Sequence, residues 1–307
     1  PNSDTSFSGC WRLTSVNLPD SLTGIGGLAF YNCKKLQNVT FPSSVTSIGE
    51  GAFKSCSALG GVTLPSSVRE IGSEAFYDCP NLMSVEIPSS VTAIEGGVFG
   101  ECSLLRSVSL PATVTSIGDG AFAGCKSLAS VTIPGSVESL GEHAFSGCEA
   151  LKTVAIPDSV RTIGEDAFSG CSSLTSFTVG SANTAFSARY GALYNKAGTT
   201  LLRYPENKQG EVVFPASIKT IGDRAFSGCR GVEKPVLPNS VTSIGESAFM
   251  SCGSLTEITI PAGVTSIGNS AFTSCDSLKR ILFYGTEQQW ESISQFSGAG
   301  SVRVVCN

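Results

Sequence analysis

Cysteine returns every 23 residues along this chain. Cys10, Cys33, Cys56, Cys79, Cys102, Cys125, Cys148 and Cys171 hold the register, and Cys229, Cys252 and Cys275 resume it after an interruption. A phenylalanine stands three positions before each, from Phe7 to Phe168 and then at Phe226, Phe249 and Phe272. A fixed period between about 20 and 50 residues specifies a solenoid, because so short a unit buries its apolar face only against its neighbours. Residues one period apart therefore become neighbours in adjacent coils, and side chains sort into columns.

Residues 36–57 read LQNVTFPSSVTSIGEGAFKSCS, and most units follow L-x-x-V-x-I-P-x-S-V-x-x-I-G-x-x-A-F-x-x-C. The alternation in L-x-x-V-x-I predicts a half-buried strand with Leu36, Val39 and Phe41 inward, closed by Pro42, which has no N–H for a ladder. Val45 and Ile48 predict a second extended segment, ended by Gly49 at a turn that calls for positive φ. Residues 50–56 predict a single helical or 3₁₀ turn that drops Ala52, Phe53 and Cys56 inside. The coil thus has three sides, and each coil adds about 4.8 Å, the spacing of parallel strands.

This frame resembles the BspA-like leucine-rich repeats, also called Treponema pallidum-type repeats, over nearly the whole chain. The resemblance implies a mainly β, right-handed solenoid rod with short parallel strands. It also implies a bacterial surface or secreted protein of a class that includes adhesins, acting as a binding scaffold without catalysis or cofactor. The partners it implies are a protein ligand, such as a host matrix or cell-surface protein, or a glycan, and the chain is expected to be a monomer at the cell surface or outside the cell. We expect the solenoid over residues 1–283, with a longer unit carrying a β-hairpin at about 180–212, and a C-terminal cap over 284–307. The opening TSFSGC reads as the tail of a repeat, so a fragment of a longer protein is expected.

Twenty Lys plus Arg against 25 Asp plus Glu give a net charge of −5, with no basic cluster, which argues against a nucleic-acid partner. No run of 18 apolar residues exists, so no membrane insertion is expected. Catalysis on a solenoid needs converging carboxylates or a His, Lys or metal cluster. Glu86 and Glu257 lie in widely separated coils, and His143 stands beside Glu142 at a position expected to be exposed. The glycines follow the repeat punctuation and form no phosphate-binding loop.

The repeat cysteines share one column beside Ala and Phe, with Cα–Cβ vectors parallel between coils, whereas a disulfide needs them to converge. They predict a ladder of free, buried thiols acting as small hydrophobes. Metal binding is disfavoured, since there is no C-x-x-C and His143 is the only histidine. Cys306 lies outside the register.

Cys171 and Cys229 are 58 residues apart, so one unit exceeds the period by 12. Its runs ALYN and TTLLRY around Lys-Ala-Gly predict a β-hairpin. Arg189, Tyr190, Tyr194, Arg203 and Tyr204, with Phe186 and Lys196 nearby, read either as an aromatic and cationic contact patch or as a structural splice whose rings pack on the solenoid. On the outward strand face most positions carry small polar residues, as at Ser15 and Asn17 or Ser107 and Ser109. The pattern changes where Lys234, Glu257 and Arg280 share a column, read either as a ligand site or as mutual charge compensation. Glu138 and Arg161, one period apart, are expected to form an ion pair. Thr286 and Gln289 have capping-box spacing ahead of Trp290 and Ile293, and SVRVVC reads as a last strand.

Overall fold

The computed structural model describes residues 6–293 and 302–306. Two compact units are formed: Pro1–Leu151 with Pro157–Cys171, and Lys152–Ile156 with Ser172–Asn307. Both are mainly β and built from short parallel strands stacked in steps of one repeat.

In the first unit the coil side expected from L-x-x-V-x-I is present as strands such as Asn38–Thr40, with Val39 buried between two exposed neighbours. Ser15–Asn17 pairs with Asn38–Thr40 in parallel, Ser15 opposite Asn38, and Ser84–Glu86 pairs likewise with Ser107–Ser109. Leu36 and Phe41 are buried at the ends of this segment. The second side carries Ser47–Ile48 between Gly24–Ile25 and Glu70–Ile71. The serine of P-x-S-V ties the coils together before that strand begins, since the Ser44 hydroxyl donates to the Leu22 carbonyl and Ser67 to Val45, each at 2.6 Å.

Gly49 has a different role from the one its position in the turn implied. Its φ lies outside the left-handed region, and a Cβ there would stand 2.6 Å from the Gly27 nitrogen, so glycine is required by the close approach of the neighbouring coil. The positive φ angles fall instead at Gly51 and Ser55. These alternate the chain direction through residues 51–55. The N–H groups of Ala52, Lys54 and Cys56 bond three residues back, while those of Gly51, Phe53 and Ser55 reach the carbonyls of Ser73, Ala75 and Tyr77 in the next coil. The turns therefore close one at a time without merging into a helix, and the third side of the coil gains a ladder of its own. His143 occupies one of these left-handed positions, with φ 53°, and is exposed.

The interior follows the columns. Phenylalanines from Phe7 to Phe168 stack with centroids 5.1 to 5.7 Å apart. Each thiol from Cys33 to Cys171 sits beside this stack and donates to a phenylalanine carbonyl in the preceding coil, as from Cys79 to Phe53 at 3.2 Å, whereas Cys229 meets the carbonyl of Tyr204. All twelve cysteines are free; ten are buried, Cys306 is half-buried and Cys10 is exposed, so the shielded ladder does not extend to Cys10. Glu138 and Arg161 have the expected register, with the Arg161 N–H on the Glu138 carbonyl at 2.7 Å. Their side chains do not pair, because the guanidinium turns back to the carbonyls of Asp158 and Val160.

In the second unit the longer repeat is a three-stranded antiparallel meander of Phe186–Arg189, Ala192–Asn195 and Thr200–Arg203. The expected hairpin is its second half, closed by Asn195, whose Oδ1 accepts the N–H groups of Thr199 and Thr200. The first half turns at Tyr190-Gly191, both at positive φ (52° and 79°), the two-residue turn that suits the twist of paired strands. Thr200–Arg203 then pairs in parallel with Thr220–Ile221, which restores the solenoid ladder. At the far end Thr286 and Gln289 form the reciprocal capping box at the start of helix Glu287–Ile293. Trp290 lies with its ring 5.3 Å from Phe283, and strand Arg303–Cys306 pairs in parallel with Arg280–Tyr284. The expected cap over 284–307 is thus described up to Ile293 and again in the last strand; 294–301 and 307 lie outside the described residues.

Candidate binding surface

The longer repeat has no A-F-x-x-C segment to fill its share of the core, and its tyrosines do so. Tyr204 is 2% exposed and packs against Phe226 with centroids 4.8 Å apart, taking the place of a column phenylalanine. Tyr194 is 1% exposed. Burial raises the phenol pKa of both, that of Tyr204 to about 12. Arg203 is also buried; its Nη2 is 2.5 Å from Glu206 Oε1 and its Nη1 donates to the Arg224 carbonyl at 2.9 Å. Tyr194, Arg203 and Tyr204 are therefore interior residues of a structural splice, the second of the two readings, and not part of a contact patch. Arg203 and Leu201 share the inward phase of one strand, a signal in the sequence that points Arg203 inside.

Arg189 and Tyr190 do face solvent. Tyr190 is 56% exposed at the tip of the first turn, and with Arg189, Pro215, Ala216 and Ser217 it lines an open hollow of about 520 Å³. Lys196 is exposed with its ammonium on the Asn183 carbonyl, and Phe186 is half-buried.

The strand-face column is present as the period required. Glu257 stands opposite Arg280 in register, and the two side chains form an ion pair. Lys234, one period before Glu257, is exposed and lines a hollow of about 360 Å³ with Gln209, Glu211, Glu233 and Val236. Sequence reasoning missed the continuation. Arg303 lies opposite Arg280, Val305 opposite Leu282, and Tyr284 is 55% exposed on the same face. The missing signal was one further step of 23 beyond Arg280, and Tyr284 standing where the frame has proline. Val213 and Val236 are exposed at 42% and 62%, in positions that carry Asn17, Thr40 and Ser109 in the first unit.

Among the described residues no group of three or more His, Cys, Asp or Glu side chains could hold a metal ion, and no helix is long and apolar enough to cross a membrane. Burial pushes the Cys56 and Cys102 thiols up to about 12, which makes thiolate chemistry there inaccessible near neutral pH.

A family profile described as BspA type Leucine rich repeat region (6 copies) matches residues 3–106, 94–209 and 202–301. A leucine rich cell surface protein from Faecalibacterium prausnitzii has a similar structure, with 32% identity over 96% of this chain and 86% of that one, and a TM-score of 0.63. A leucine-rich repeat protein from Bacteroides ovatus shares 26% identity over 99% and 86% of the two chains, with a TM-score of 0.62. One from Eubacterium ventriosum shares 29% over 89% and 67%, with a TM-score of 0.63. No curated protein matches the sequence. With a profile covering most of its length and the repeat geometry that the profile describes, the chain belongs to the BspA-type leucine-rich repeat family.

Proposed function

We propose that the chain is a non-catalytic recognition module of a surface-exposed or secreted protein, binding a protein ligand in an adhesive or docking role. The observation that carries this reading is the change in surface chemistry along the strand face. In the first unit most outward positions are small and polar, as in the pairs Ser15–Asn38 and Ser84–Ser107, with Glu86 the charged exception. From Lys234 onward in the second unit they become Lys234, Glu257, Arg280 and Arg303, flanked by Val236, Leu282 and Tyr284. Arg and Tyr are the residue types that dominate binding energy at protein interfaces. The description of the Faecalibacterium prausnitzii protein as a cell surface protein supports the location. The Arg189–Tyr190 hollow offers a second contact point on the same unit.

The test is a parallel screen of the purified chain on an array of extracellular matrix and cell-surface proteins and on a glycan array. Saturable binding to a protein is the expected result. Binding confined to glycans would replace the protein ligand with a carbohydrate one, and no binding on either array would leave a spacer role for the repeats. The mostly small and polar face of the first unit favours that second reading for its part of the chain.

A further inference from the structure

Strands Glu257–Pro261, Arg280–Tyr284 and Arg303–Cys306 form one parallel sheet, and their outward residues make two rows of unlike chemistry. The first row is Glu257, Arg280 and Arg303, and the second is Thr259, Leu282 and Val305, with Tyr284 beyond. The Arg280 side chain keeps 53% of its surface exposed although it pairs with Glu257, which is 16% exposed. Among the described residues Arg303 forms no ion pair. The sheet thus offers two guanidiniums against one carboxylate, in a chain whose net charge is −5.

From this arrangement we infer that the sheet docks an extended acidic segment of a protein partner, with a carboxylate over Arg280 and Arg303 and aliphatic side chains over Leu282 and Tyr284. The spacing carries the choice of an extended peptide. Arg280, Leu282 and Tyr284 project outward two residues apart, roughly 6.7 Å per step along a strand. An extended ligand laid along them presents its own i, i+2 and i+4 side chains at that same interval, so an acid-x-aliphatic-x-aliphatic pattern meets guanidinium, leucine and tyrosine in turn. An arginine fork holds a carboxylate through paired N–H donors, and the adjacent apolar row removes the flanking aliphatic groups from water. An acidic sugar would satisfy the arginines but would leave the aliphatic row without a partner. The inference rests on the protein-recognition reading above and names the class of segment recognised.

The experiment titrates the intact chain into fluorescein-labelled nine-residue peptides with Glu-Ser-Val-Ser-Leu at the centre. Matched peptides carry Lys for Glu or Ser for both aliphatic residues, and a uronate-rich oligosaccharide serves as the carbohydrate probe. Binding of the Glu peptide should be at least about tenfold tighter than either peptide control and should weaken as salt rises from about 50 to 500 mM. Arg303→Glu should weaken it by about tenfold or more, and Leu282→Ser should weaken it with little change in salt dependence. Lys126→Ala, at an exposed position of the first unit, should leave it unchanged. Arg303→Gln and Tyr284→Ser repeat the test if the charge reversal lowers the melting temperature. Equal binding of the Lys peptide, insensitivity to both Arg303 variants, or Arg303-dependent binding of the oligosaccharide alone would each overturn the inference. The two readings fail separately: an array ligand held regardless of Arg303 removes this site and leaves protein recognition standing. Arg303-dependent peptide binding without any array ligand keeps the site and removes the adhesive role.

Discussion

Cys56 donates its thiol hydrogen to the carbonyl oxygen of Phe30 at 3.1 Å, one coil back and 26 residues away in sequence. The same carbonyl accepts the Cys33 N–H at 3.2 Å, so the thiol shares an acceptor with the turn below it. Burial and this bond hold the group neutral and out of reach. A thiol reagent applied to the native chain should therefore modify Cys10 at once and Cys306 more slowly, with the ten buried groups reacting only after denaturation. Fewer than twelve reactive groups in denaturant without reductant would reveal disulfides and sink the ladder.

The raised thiol pKa values also set a pH dependence. In the unfolded chain these groups ionise near the ordinary value of 9.0, and in the folded chain Cys56 and Cys102 ionise only at about 12. Below 9 neither state has lost the proton and their contribution to stability is whole; it is lost progressively as pH rises from 9 to 12. Each such thiol steepens the decline by up to about 1.4 kcal/mol per pH unit. Denaturation midpoints measured across that window should fall less steeply in a Cys56→Ala, Cys102→Ala double variant than in the parent.

Phe122 is fully buried between Phe99 and Phe145, at centroid distances of 5.6 and 5.3 Å. Truncation leaves a void bounded by two rings held in their own coils, so Phe122→Ala should cost about 3 to 5 kcal/mol. Urea unfolding followed by fluorescence or circular dichroism measures this. A change in midpoint within experimental error would remove Phe122 from the column.

A methyl group at Gly49 would meet the Gly27 backbone at 2.6 Å, whereas one at Gly60 meets nothing within 4 Å. Gly49→Ala should lower stability by about 1 to 3 kcal/mol through overpacking of adjacent coils. Gly60→Ala should fall within about 0.5 kcal/mol of the parent. Equal effects in thermal melts would contradict the close-approach account.

The buried pair of Arg203 and Glu206 gives the longer repeat its own test. Glu206→Gln leaves the Arg203 charge without its carboxylate in an interior position, at a cost of about 3 to 5 kcal/mol. Arg203→Met with Glu206→Leu removes both charges together and should recover most of that loss. A double variant no more stable than Glu206→Gln alone would mean that the charges are not coupled.

The sequence by itself determined whatever is copied from coil to coil. The strand phase at Val39, the inward Phe53 and Cys56, the free thiols and the Glu257–Arg280 register all follow from the 23-residue step, because a side chain in a solenoid inherits the environment of its equivalents one coil away. The capping box at Thr286 and Gln289 was legible for a different reason, since its bonds are local. Only the tertiary structure decided what has no equivalent to copy. Tyr194, Arg203 and Tyr204 look like a recognition patch by composition, yet they lie inside because the longer repeat has no A-F-x-x-C segment and its tyrosines fill that core position instead. Gly49 needed the coordinates of Gly27 to reveal why it is glycine, and the side-chain direction of Arg161 depended on carbonyls offered within its own turn. Equivalence by period places backbones and interiors; a flexible side chain at the surface is free to choose among neighbours, and that choice is made in three dimensions.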